Sequence, residues 1–374
     1  DTSVRPIDDF VTGVELSADG TKLVVGTLYG STIVYQWNNI TSLWEEEANL
    51  EFPLDSVPTT SNPLTPSVAL SGNGQRVVIG VSSAGRAYTY DYQENRDPAW
   101  LRHPQPILGN QANDGTGAGV SLSHDGNIVA VGSPFFDGKS FNSGQTRLFR
   151  YKSIAWDLEA RIEGEVLNDY VGGKVMLSAD ARVMIDANPT QNTENGFSSG
   201  IVWTWQRPVP SSVDNRLKLC GPPLLGPSEL DRFGSQIGIS ASGRVVAISS
   251  PGFASGAVFV YEYNFRTNAW EPRGSPIPLL GGPSHGICMS ADGNVVTIAS
   301  RSNVQVYQYQ VARVAVSALN SPREWVAVGG TFFNASQLSG SVVACSADGR
   351  IVALGKGLPG DDSTVSVFRA VETL

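Results

Sequence analysis

The chain has 374 residues, 41% of them hydrophobic and only 16% charged, with 40 glycines, 22 prolines and a formal net charge of -9. That mix suits one large domain of many short strands joined by turns, and runs against a helical or disordered chain. Lysine is scarce and no basic run occurs, so nucleic-acid binding is not expected; no apolar stretch approaches the roughly 20 residues of a membrane span, so membrane insertion is not expected either.

In chain order, the first residue is Asp1 and not Met, as in a processed, trimmed or partial chain. The segment Thr2-Ser3-Val4-Arg5-Pro6-Ile7 resembles Ser275-Pro276-Ile277, which ends a later unit. Seven units then follow. The first, about residues 13–53, places Val14 and Leu16 before the turn Ser17-Ala18-Asp19-Gly20, then Leu23-Val24-Val25, Tyr35/Trp37 and Trp44. The second, 67–108, has Val68 and Leu70 before Ser71-Gly72-Asn73-Gly74, then Tyr90/Tyr92 and Trp100. The third, 119–165, has Val120 and Leu122, Ser123-His124-Asp125-Gly126, the run Ile128-Val129-Ala130-Val131, Phe149/Tyr151 and Trp156. The fourth, 174–222, has Val175 and Leu177, Ser178-Ala179-Asp180-Ala181 and Trp203/Trp205. The fifth, 236–280, has Ile237 and Ile239, Ser240-Ala241-Ser242-Gly243, Tyr261/Tyr263 and Trp270. The sixth, 286–329, has Ile287 and Met289, Ser290-Ala291-Asp292-Gly293 and Tyr307/Tyr309. The seventh, 342–370, has Val343 and Cys345, Ser346-Ala347-Asp348-Gly349 and Phe368.

The serines recur at intervals of 54, 52, 55, 62, 50 and 56 residues, a period that marks a repeat fold. Apolar alternation before the turn reads as a strand, and the run after it as a second strand buried on both faces. Aspartate caps the turn and glycine takes its positive φ. Aromatics two apart share one face of a third strand and are expected to pack between neighbouring sheets. A fourth strand is marked by Trp44, Trp100, Trp156 and Trp270. The expected fold is therefore all-β: a single seven-bladed β-propeller with four antiparallel strands per blade. The seventh unit lacks a fourth strand, and residues 1–7 are expected to supply it and close the ring.

Asp231-Arg232-Phe233-Gly234, with Ile237-Gly238-Ile239-Ser240 and Ser250-Pro251-Gly252, resembles an FG-GAP repeat, the unit of the seven-bladed propeller of integrin α chains. Gly132-Ser133-Pro134, Asp169-Tyr170-Val171-Gly172 and Asp9-Phe10 are weaker matches. The resemblance implies an extracellular or cell-surface recognition protein. It does not carry over calcium: each Ser-Ala-Asp-Gly hairpin offers one carboxylate where calcium takes six to eight oxygens. The Gly-His and Trp-Asp signatures of WD repeats are missing in register, with Trp156-Asp157 an isolated match.

No catalytic constellation stands out, and no cofactor or metal is expected. His103, His124 and His285 fall in three units with no metal-ligand spacing. A polar residue nine positions before the serine recurs as Asp8, Asn62, Asp114, Asp169, Asp231 and Gln337; it reads as a turn cap before the inner strand. Asp137, Asp186, Glu194, Asp231, Asp361 and Asp362 are the carboxylates a propeller glycosidase or lyase would draw on. Asp186 interrupts a core strand and reads as a structural hydrogen-bonding residue. Cys220, Cys288 and Cys345 match no zinc motif; buried free thiols are expected for Cys288 and Cys345, with a bridge between these neighbours left open. Asn39-Ile40-Thr41 and Asn334-Ala335-Ser336 are glycosylation sequons, meaningful if the protein is secreted.

The leading expectation is a non-catalytic recognition, adhesion or structural propeller that binds a protein or glycan partner. The alternatives are a carbohydrate-active enzyme working in the central cavity and an intracellular WD-like scaffold. Loops after the second strands vary in length while the Ser-x-x-Gly hairpins do not, so the partner is expected on the variable face, at Phe135, Phe136, Asn195 and Phe197.

Overall fold

The computed structural model describes residues 2–3, 10–28, 30–53, 66–208, 216–279, 284–300, 303–311, 323–329, 342–356 and 364–370. Seven antiparallel sheets follow one another around a ring, making a seven-bladed β-propeller. Blade 1 shows the plan: inner strand Val11–Leu16, second strand Lys22–Thr27, third strand Thr32–Asn38 and outer strand Leu43–Asn49. In blades 2, 4 and 5 the outer strand is broken into two short segments, each paired to the third strand.

The ring closes as expected. Thr2 and Ser3 pair antiparallel with Val367 and Ser366, so the N-terminal segment is the outer strand of blade 7. That pairing covers an edge that would otherwise be free to recruit another chain. The rest of the segment, residue 1 and residues 4–7, lies outside the described residues.

The second strands form the core of each blade. Lys22–Thr27, Arg76–Val81, Ile128–Ser133, Val183–Asn188 and Val245–Ser250 are buried at every position. Each is flanked by two strands of its own sheet and by the sheets of both neighbours, which explains the unbroken apolar runs.

The Ser-x-Asp-Gly turn is a small hydrogen-bonded device. In blade 3, Ser123 Oγ donates to Asp125 Oδ1 at 2.6 Å and accepts from Ile128 N–H at 3.0 Å. Asp125 Oδ1 also accepts from Asn127 N–H at 3.0 Å. Serines 17, 71, 178, 240, 290 and 346 each accept from the N–H five residues on in the same way. The turn glycines sit at φ near +70°, where an L side chain is strained; blade 4 places Ala181 there at φ 51°.

The hairpins are also linked to one another. Ala18 N–H donates to Gly72 O, Asn73 to His124, His124 to Ala179, Ala179 to Ala241, Ala241 to Ala291, Ala291 to Ala347, and Ala347 back to Ala18, all between 2.7 and 3.0 Å. This closed belt visits every blade once. Gly72 replaces the usual alanine because a Cβ there would stand 2.1 Å from His124 Nδ1.

The aromatic pairs pack between blades. Tyr92 contacts Trp100, Tyr151 contacts Trp156, Tyr263 contacts Trp270 and Tyr309 contacts Trp325, with centroids 5.2–5.4 Å apart. Each tryptophan Nε1 reaches back to the preceding blade: Trp100 to Glu47, Trp156 to Thr89, Trp270 to Thr204 and Cys220 O, Trp325 to Arg273 O. Cations from the preceding blade cover the tyrosines, Lys22 over Tyr92 at 3.7 Å and Arg76 over Tyr151 at 3.9 Å. Trp325 extends the tryptophan series beyond the four markers read from sequence.

One expectation is corrected. Cys288 and Cys345 form a disulfide between the inner strands of blades 6 and 7, with Cα atoms 5.9 Å apart. Their apolar surroundings concealed that the two strands lie side by side. Cys220 is a buried free thiol.

Ser123→Ala leaves the buried Ile128 N–H without its partner and should destabilise the protein by about 1–3 kcal/mol. Ser242→Ala, at the exposed position of the blade 5 turn, should change stability by less than about 0.5 kcal/mol. Urea unfolding of both variants checks this; equal effects would contradict the role given to the inner serine.

Candidate functional site

The loops that follow the second strands, and the connectors between blades, emerge on the face opposite the hairpin belt. The connectors that follow blades 2, 3 and 4 each brace two loops. In the connector from blade 3 to blade 4, Gly164 N–H donates to Gly144 O and Asn168 N–H to Phe141 O. On its other side, Asn188 Nδ2 donates to Asn168 O and Asp169 O at 3.2 and 2.8 Å. The next connector repeats the plan, with Gly226 N–H on Gly200 O and Leu230 N–H on Phe197 O.

The recurring aspartates hold these connectors in shape. Asp114 accepts from the N–H groups of Asn110, Gln111 and Thr116, Asp169 from Glu165 and Val166, and Asp231 from Ser228. All three are buried. They are turn caps, as the sequence pattern suggested. Asp8, Asn62, Gln337, Asp361 and Asp362 lie outside the described residues.

The four residues picked from the sequence are brought to this one face. Phe135 is exposed and edge-on to Tyr170, with centroids 6.0 Å apart. Phe136 is half-buried within its own loop. Phe197 is exposed, and the exposed Asn195 donates through Nδ2 to Gly226 O at 2.8 Å. The structure adds Val166, Leu167 and Leu230, which a search for aromatics passes over. Phe135, Phe141, Val166, Leu167, Phe197 and Leu230 are each 50–62% exposed on these linked loops and connectors. The apolar pair Val166-Leu167 inside a polar connector was the available signal. Asp137, Glu165 and Glu194 are exposed around them. Asp137 Oδ1 accepts from Asn142 N–H, which stiffens the loop carrying Phe141.

Asp186 is fully buried between blades 3 and 4. Thr146 Oγ1 donates to it at 2.5 Å and Gly172 N–H at 3.0 Å. Burial pushes its carboxyl up to about 7, and the two donors offset part of that rise. It ties the third strand of blade 3 to the connector and the second strand of blade 4, a structural role.

His103 has a carboxylate partner, Asp91, at 3.0 Å. Asp91 is also held by Arg76 through both oxygens. Desolvation opposes the charge there, yet His103 and Arg76 draw the carboxyl down to about 2. The His103 side chain is 9% exposed and packs edge-on to Tyr151, so the pair is walled into the joint between blades 2 and 3.

The central channel is a cavity of about 370 Å³ lined by the inner strands, including Thr12, Glu15, Ser67, Lys174, Met176, Gln236 and Val343. Among the described residues two charged ones line it, Glu15 from blade 1 and Lys174 from blade 4. No pair of carboxylates of the kind a glycosidase requires lines it among the described residues. No cluster of three metal-ligating side chains occurs among the described residues.

Fold and site together define a seven-bladed β-propeller with a braced loop face and a narrow polar channel. One solved structure that matches over its full length is hydrazine synthase of Kuenenia stuttgartiensis, with TM-score 0.63, 14% identity and coverage of 99% of this chain and 97% of that one. At that identity the likeness shows the fold alone. No family model matches the chain. No curated protein matches it by sequence.

Asp186→Asn gives a prediction with a definite sign. The native carboxyl holds its proton up to about pH 7, whereas the unfolded one releases it near 3.8. The wild type should therefore lose stability relative to the variant as pH rises from about 4 to about 7, and level off above. Urea midpoints at pH 5, 6, 7 and 8 for both proteins check this; Glu15 titrates in both and cancels. A difference independent of pH would contradict the assignment.

Proposed function

We propose that the chain is a non-catalytic recognition propeller that binds a protein or glycan partner through its loop face. The observation carrying this reading is the set of exposed apolar side chains Phe135, Phe141, Val166, Leu167, Phe197 and Leu230 on connected loops. Exposed apolar residues gathered on one face mark interaction surfaces, while single ones are ordinary. The bracing hydrogen bonds present them on a stiff frame, which lowers the entropy lost on binding.

An extracellular or cell-surface setting fits three features. The Cys288–Cys345 disulfide suits an oxidising compartment. Asn39 is exposed in the turn between third and outer strands of blade 1, where a glycan has room; Asn334 lies outside the described residues. The FG-GAP resemblance around Asp231–Gly234 points the same way, toward adhesion proteins. Among the described residues no helix is long and apolar enough to cross a membrane.

A photoreactive phenylalanine analogue placed at Phe135, Phe141 or Phe197 should cross-link the partner in the native material. The same group at Asp125 or Asp292, on the hairpin face, should not. The triple variant Phe135→Ser, Phe141→Ser, Phe197→Ser should keep the fold and weaken binding of that partner by at least about tenfold. Cross-links confined to the hairpin face or the outer strands would overturn the reading.

A further inference from the structure

Among the described residues the central channel holds one acid and one base, and neither forms an ion pair. Glu15 enters from blade 1 and Lys174 from blade 4, on the far side of the seven-blade ring. Glu15 has no hydrogen-bond or ionic partner among the described residues, and burial pushes its carboxyl up to about 8. Lys174 Nζ has one long contact, 3.5 Å to Gln236 Oε1, and burial lowers its basicity.

At the positions matching Glu15, two residues before the hairpin serine, the other blades carry Ala69, Ser121, Met176, Gly238, Cys288 and Ala344. A carboxylate is thus not what the ring's packing requires there. Withdrawing a charge from water without a counter-charge costs stability. A carboxyl that holds its proton at neutral pH until a cation arrives, facing an ammonium across a cavity the size of a small-molecule site, forms a receptor for a dipolar molecule. One molecule carrying both complementary charges would satisfy both while giving up its translational freedom once.

We propose that the channel binds a small zwitterion, with its ammonium group against Glu15 and its anionic group against Lys174. Thr12, Ser67 and Gln236 line the same cavity; the two hydroxyls donate to Pro66 O and Gly117 O and keep lone pairs for a ligand donor. This site is separate from the loop face and stands or falls independently of the partner proposed there.

The test uses the whole chain and unbranched ω-amino acids from glycine to 6-aminohexanoate at millimolar concentration. Hexylamine and hexanoate are the single-charge controls, and melting temperature with titration calorimetry is the readout. At least one chain length should raise the melting temperature by about 2 °C or more, and neither control should do so. Glu15→Gln and Lys174→Met should each abolish the rise. Glu15→Gln replaces a half-buried carboxyl by a neutral amide of the same size and Lys174→Met removes a half-buried ammonium, so both should keep the far-UV circular dichroism and about the melting temperature of the parent. The proposal is overturned if no amino acid shifts the melting temperature, if either control matches the best amino acid, or if the rise survives in either variant.

Discussion

Seven hairpins joined head to tail by backbone hydrogen bonds set the geometry on which the other contacts of this protein depend. A propeller has no end at which packing errors can accumulate harmlessly, since the last blade must meet the first. The belt from Ala18 through Ala347 and back meets that demand with one donor and one acceptor per hairpin. Each turn must therefore hold a fixed shape. The serine and aspartate side chains do this by occupying the N–H groups that a free turn would leave to water. Partial desolvation opposes the charge on Asp19, Asp125, Asp292 and Asp348, yet the bonds they accept draw each below the ordinary carboxylate range. Those oxygens are committed to the turn.

Outside the belt the blades are joined by an apolar and cationic layer. Trp100, Trp156, Trp270 and Trp325 each reach back to the blade before, and Lys22 or Arg76 lies over a neighbouring tyrosine. Such contacts tie a blade to its predecessor without lengthening any loop. The loops on the far face are then free to vary. They are braced by connectors whose buried aspartates, Asp114, Asp169 and Asp231, repeat the same capping logic.

What the chain revealed in advance follows from this division. The hairpins, buried second strands and aromatic stripes were legible because every blade repeats the same physical task with the same residue types. The closing role of the N-terminus was legible because blade 7 is one strand short. Features that depend on how two blades meet were not. Cys288 and Cys345 looked like separate buried thiols until their strands were seen side by side. Asp186 announced a partner without naming Thr146 from the adjacent blade. The need for glycine at position 72 comes from His124 of the next blade, which would stand 2.1 Å from a Cβ there. Glu15 and Lys174 drew no notice because neither belongs to a motif. Their meaning comes from the seven-fold arrangement that leaves small or apolar residues at most equivalent positions. On the loop face, Phe135, Phe136, Asn195 and Phe197 could be selected from loop length and composition. Val166, Leu167 and Leu230 needed the folded connectors.

The central claim is that the hairpin belt closes the ring as one cooperative unit. Native-state hydrogen exchange of the amides of Ala18, Asn73, His124, Ala179, Ala241, Ala291 and Ala347 tests it most directly. These lie near the surface, where isolated turn amides would exchange through small local openings. If the belt is cooperative, all seven exchange with one common free energy close to that of global unfolding, and deleting residues 1–7 lowers all seven together. Seven independent exchange rates, with the blade 7 amide alone responding to the deletion, would contradict the account.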